Sequence, residues 1–73
     1  NIQLKELELL ISMVVEKMPA QRKKIYKMSR VSGMSNDKIA QVLGINKRTV
    51  ENHLSQALAD IRKVLSIAFI LFF

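Results

Sequence analysis

Residues 35–54 read SNDKIAQVLGINKRTVENHL, and this stretch admits few folds. Ser35 suits a helix N-cap, and Asp37 puts a negative charge near the positive end of the helix that follows. Ile39, Ala40 and Leu43 lie on one face of that short helix, Asn36 to Leu43. Gly44 can adopt the φ > 0 backbone that ends a helix and reverses the chain, with Ile45 packing back behind it. Asn46 then caps another helix, which begins at Lys47 and repeats apolar residues at Val50, Leu54, Leu58, Ile61 and Leu65. Two helices around a short glycine turn are the helix-turn-helix pattern. Ala40 is small where the helices would cross. Ile39, Leu43, Ile45, Val50 and Leu54 supply the core that fixes the crossing angle. A plain helical hairpin with the same packing is the alternative.

Upstream, Leu4, Leu7, Ile11, Val14 and Met18 recur at helical spacing, and Leu10, Met13 and Val15 widen that apolar face. The helix should stop at Met18-Pro19, because a residue before proline avoids the α region. Pro19 suits the first turn of a second helix running to about Ser32. Ile25, Met28 and Ser32 are expected to face inward with Tyr26 alongside. Arg22, Lys23, Lys27 and Arg30 are expected on the outer side, and Gly33 as the C-cap. No strand alternation, long linker or repeat interrupts this pattern. The expectation is an all-α domain of four helices over residues 1–73, with the helix-turn-helix at about 35–63 and an apolar extension at 64–73.

Composition narrows the chemistry. A 73-residue chain is one domain, and domains near this size bury only about 60% of the surface of the unfolded chain, leaving little room for a deep catalytic cavity. There is no cysteine, which excludes disulfides, thiolate metal sites and a thiol nucleophile. His53 is the single histidine, and two glycines cannot build a phosphate-cradling loop. No enzymatic activity, metal or cofactor is expected. The net charge of +6 points to a polyanionic partner. It is concentrated in residues 17–48, where nine Lys and Arg face only Asp37. A solvated helix face would be the bland reading of those charges. No signal-peptide pattern is visible, and a cysteine-free chain suits the cytoplasm. The chain starts at Asn1 rather than Met and reads as a fragment.

A helix-turn-helix sends the N-terminal half of its second helix into the DNA major groove. The residues opposite Val50 and Leu54 are Lys47, Arg48, Glu51, Asn52, Ser55 and Gln56. Asn and Gln can pair with adenine at two points, Glu can accept from cytosine, and Ser suits several bases. Lys47, Arg48 and Thr49 are better placed for phosphates at the helix start, and Lys38 could hold the backbone across the groove. His53, beside the buried edge, reads as a phosphate contact or packing residue rather than a catalyst or ligand.

Residues 18–63 resemble region four of bacterial RNA polymerase sigma factors, specifically the extracytoplasmic-function group. The resemblance is carried by Met18-Pro19, the basic run Arg22 to Lys24, Ile25-Tyr26 and Ser29-Arg30. It continues through Ile39-Ala40, Leu43-Gly44-Ile45, Thr49-Val50, Ala57-Leu58 and Arg62-Lys63. It implies a cytoplasmic domain that binds the minus-35 promoter element in double-stranded DNA and docks on the flap of the polymerase β subunit. It also implies masking by an anti-sigma factor. The positions it carries over to DNA are Lys47, Arg48, Thr49, Glu51, Asn52, Ser55 and Gln56. Lys38 stands where the family often has an acid, which removes the usual capping box with Ser35. Glu51 and Gln56 stand where many members are basic, so base preference does not transfer. The family's minus-10-binding domain is not in this chain, and the fragment alone should not start transcription.

The DNA-binding domain of quorum-sensing and response-regulator activators shares the Ser35-Asn36, Ile39-Ala40, Thr49-Val50 and His53 strings. The Pro19-Ala20-Gln21 opening and the long last helix favour the sigma reading. A helical adaptor whose basic face binds an acidic protein is the reading from outside DNA binding. VLSIAFILFF, residues 64–73, is too short for a bilayer span of roughly 20 residues, and no membrane role is expected. The extension is expected to continue the last helix over the wide face of the first. The alternative is that Phe69, Phe72 and Phe73 pack on another copy, the polymerase or an inhibitor.

Overall fold

A computed structural model describes residues 3–72, with side chains through Leu71. The contacts expected of Phe73 and of the Phe72 side chain therefore lie outside the described residues. Four helices follow in order: α1 (Leu4–Glu16), α2 (Ala20–Arg30), α3 (Asn36–Leu43) and α4 (Lys47–Phe72). No strand occurs among the described residues. The all-α architecture and the helix-turn-helix, formed by α3 and α4, are as the sequence predicts.

α4 is the spine, and it contributes to both hydrophobic clusters. The first joins Ile25, Ile39, Ala40, Val50 and Leu54, with Met28, Met34, Leu43 and Ile45 around them. Ile25, Ile39 and Val50 are completely buried, and each such side chain contributes about 1.5–3 kcal/mol of transfer free energy. The second joins Val15 and Met18 to Ala57 and Ile61, flanked by Ile11, Val14, Tyr26 and Leu65. The first cluster holds the helix-turn-helix against α2. The second clamps α1 along the middle of α4.

Local chemistry sets the joints. The Ser35 hydroxyl accepts from the Lys38 N–H at 3.2 Å, capping α3. Gly44 takes φ 66°, ψ 35°, and the Ile45 N–H donates to the Ala40 carbonyl at 3.0 Å, the six-to-one bond of a glycine C-cap. The Asn46 side-chain oxygen accepts from the Arg48 N–H at 2.9 Å and caps α4.

Several sequence expectations need correction. Pro19 is the N-cap of α2, one residue before the helix proper, and its carbonyl accepts the first helical bond from Lys23. α2 ends at Arg30, short of Ser32. The Lys27 carbonyl accepts from both the Val31 and Ser32 N–H groups, and this widened last turn leaves Ser32 exposed. Gly33 lies beyond the helix at φ 69°, and Met34 folds back onto the core where Ser32 was expected.

On α4, Leu58 is 39% exposed while Ala57 is completely buried. The inward row runs Val50, Leu54, Ala57, Ile61, alternating steps of 4 and 3, and a small residue is needed where α1 packs against it. The apolar face of α1 is only partly covered, with Leu7, Leu10, Ile11 and Val14 half-buried. Val15 and Met18 are buried, whereas Leu4, Leu9 and Met13 are exposed. The extension does continue α4 and buries Ala68, but Ile67, Ile70 and Leu71 remain outside.

Candidate nucleic-acid interface

Burial of Val50 and Leu54 turns the other side of α4 to solvent. Lys47, Arg48, Thr49, Glu51, Asn52, Ser55 and Gln56 are all exposed on its first three turns. At 100° per residue, Arg48, Asn52 and Ser55 lie almost opposite the buried row, flanked by Thr49 and Gln56. Lys38 is exposed on α3, across the turn from this face. His53 is half-buried beside the inward row, with its Nδ1 buried and without a hydrogen-bond partner among the described residues. The nine positions singled out from the sequence are thus brought to one end of the molecule, eight on α4 and one on α3.

The turn that holds this face is over-determined. The side-chain cap at Asn46 and the glycine cap at Gly44 fix the start of α4 from both sides. Lys38 and Arg48 form no ion pair among the described residues, so their charge is available to an anion. Lys47 is 3.4 Å from the Asp37 carboxylate at the start of α3, with both side chains exposed. An exposed pair of this kind is worth well under about 1 kcal/mol and yields readily to a phosphate.

The sequence missed Arg22. Expected on the outer side of α2, it reaches across to α4, where its Nη1 donates to Asp60 Oδ2 at 2.6 Å and its Nη2 to Gln56 Oε1 at 2.9 Å. Its side chain is only 21% exposed. A carboxylate and an amide one turn apart at 56 and 60, facing an arginine of an earlier helix, were the available signal. Lys23 and Lys27 are likewise committed, to Glu16 of α1 at 3.5 and 3.0 Å. The Lys27 hydrogen bond first, and then the Lys23 charge, hold the Glu16 carboxyl below its ordinary value of 4.5. Much of the basic charge of α2 therefore ties helices together, and Lys38 and Arg48 are the cations beside the exposed polar face of α4 without an ion pair among the described residues.

No three His, Cys, Asp or Glu side chains gather as a metal site among the described residues. No helix there is long and apolar enough to cross a membrane. A short capped helix, a glycine turn and a longer helix with an exposed polar, basic N-terminal half define a helix-turn-helix DNA-binding domain. Residues 8–61 match the family described as sigma-70, region 4, and the chain belongs to that family. Region 4 is a DNA-binding rather than a catalytic unit, and in sigma factors generally it binds the minus-35 promoter element and works with RNA polymerase. No curated protein shows detectable similarity to the chain.

Proposed function

We propose that this chain is the C-terminal domain of an extracytoplasmic-function sigma factor, binding the minus-35 element of promoter duplexes in the cytoplasm to direct transcription initiation. The exposed polar face of α4, held by the capped turn at Gly44 and Asn46, carries the reading. Residues 1–73 then act as one DNA-binding domain. Lys38, Lys47, Arg48 and Thr49 meet phosphates and set the register, while Glu51, Asn52, Ser55 and Gln56 face base edges. His53 closes the edge of that face. The partners are promoter DNA, the β-subunit flap and an anti-sigma factor. Self-association through the apolar end of α4 is supported by the exposure of Ile67, Ile70 and Leu71.

The test is a titration with an isolated β-flap fragment, followed by NMR. Saturable binding with shifts centred away from Asn52 and Gln56 is the expected result. No binding by a folded chain would remove the β-subunit flap from its partners. Lys47→Ala should weaken binding to all duplexes and reduce the slope of log affinity against log salt by about one. An unchanged slope removes Lys47 from the phosphate contacts.

A further inference from the structure

We propose that Arg22 is a positioning residue that orients the Gln56 carboxamide, so that Gln56 presents its NH2 group to a base-edge acceptor and rejects cytosine, whose major-groove edge offers only a donor. The inference rests on α4 being the DNA-reading helix. Arg22 is held by a short charge-assisted bond to Asp60 at 2.6 Å, and its second terminal nitrogen lies 2.9 Å from the Gln56 side chain. A guanidinium has donors and no acceptor, so only the carbonyl oxygen of Gln56 can face it. The NH2 end is therefore left for the exposed side of α4, where Gln56 lies one turn past Asn52.

Guanine, thymine and adenine each show an acceptor in the major groove, whereas cytosine shows only its N4 donor, which a glutamine can meet only with its carbonyl oxygen. Arg22 holds the oxygen of Gln56 on the α2 side. The NH2 end that faces the groove can donate to guanine O6 or N7, thymine O4 or adenine N7, but meets cytosine N4 donor to donor. Because Arg22 is mostly buried and anchored on α4 itself through Asp60, the clamp moves with the helix. A lysine in its place would keep the charge but lacks the fork that reaches both partners.

The experiment selects sites from a randomised duplex pool with the wild-type chain and with Gln56→Ala, Arg22→Lys and Arg22→Ala. Circular dichroism checks that each variant is folded. The position whose preference disappears in Gln56→Ala is the one Gln56 reads. The wild type should prefer the three acceptor-bearing bases over cytosine there by about tenfold. In Arg22→Lys that ratio should fall to within about twofold while the other positions and the salt slope stay unchanged. A merely structural role for Arg22 would weaken all positions alike and leave the ratio intact. An unchanged ratio in both folded Arg22 variants, or a wild-type preference for cytosine, overturns the proposal. If Arg22→Ala does not fold, Arg22→Lys alone decides. No enriched site with the folded wild type overturns the DNA reading and this proposal with it. Enriched sites with an unmoved ratio overturn this proposal alone.

Discussion

Gly44 shows how much one residue can settle. An added Cβ there would meet nothing within 4 Å, yet φ is 66°. A substitution would therefore be penalised by backbone strain alone, with no steric contribution. Gly44→Ala should cost about 1–2 kcal/mol in denaturant unfolding, and Gly44→Asn distinctly less. Equal losses for the two would mean that the cap does not require the left-handed conformation. Ala57 and Leu58 make the opposite pair. Ala57→Leu should destabilise by about 1–3 kcal/mol through overpacking against Val15 and Met18. Leu58→Ala, at a 39% exposed position, should cost less. These residues also divide what the sequence tells from what it does not. Ser35, Gly44 and Asn46 are legible because a cap acts within a few residues of itself. Ala57 is not, because a bulky leucine next to it satisfies the same periodicity, and only the close approach of α1 selects the smaller side chain. Arg22 is illegible for a related reason: its partners are 34 and 38 residues away.

The elements are joined by few polar contacts, and one of them titrates. Glu16 of α1 faces Lys23 and Lys27 of α2, and these hold its carboxyl below the ordinary 4.5. Its folded-state value is thus lower than its unfolded one. The stabilisation is fully present above about pH 4.5 and is lost as pH falls through the lowered folded value. Denaturant midpoints followed from pH 6 downward should show a steeper decline for the wild type than for Glu16→Gln, with screening by salt because the site is exposed. Parallel curves would remove the α1–α2 clamp as a source of acid sensitivity. The existence and order of the helices are readable from periodicity and punctuation, because both are local. The ends of α2 are less so: Pro19 fits either the cap or the first turn, and the widened turn at Ser32 depends on where Met34 packs. The exposed polar face of α4 is readable once its buried row is fixed at Val50 and Leu54. The commitment of Lys23 and Lys27 to Glu16 is not, since it follows from how α1 lies against α2.

At the scale of the molecule, the long axis of 42 Å is close to the roughly 39 Å length of the 26-residue α4. Arg62 and Lys63 are the last charged residues of α4, and the end beyond them is mostly apolar on its exposed sides, with Ile70 at 79% exposure. Ile70→Ser should therefore leave the unfolding midpoint unchanged and reduce self-association, measured by light scattering across concentration. A strict monomer for the wild type at every concentration would remove the self-association proposal. α4 contains neither proline nor glycine from Lys47 to Phe72, so nothing along it provides a ready hinge. Asn52 and Ile70 stand about 27 Å apart on one stiff rod, several screening lengths at physiological salt. A partner held at the far end would be too distant to cover the polar face around Asn52, but it would set that face's bearing. Under the proposed function, the apolar end would be a handle by which the other end is aimed.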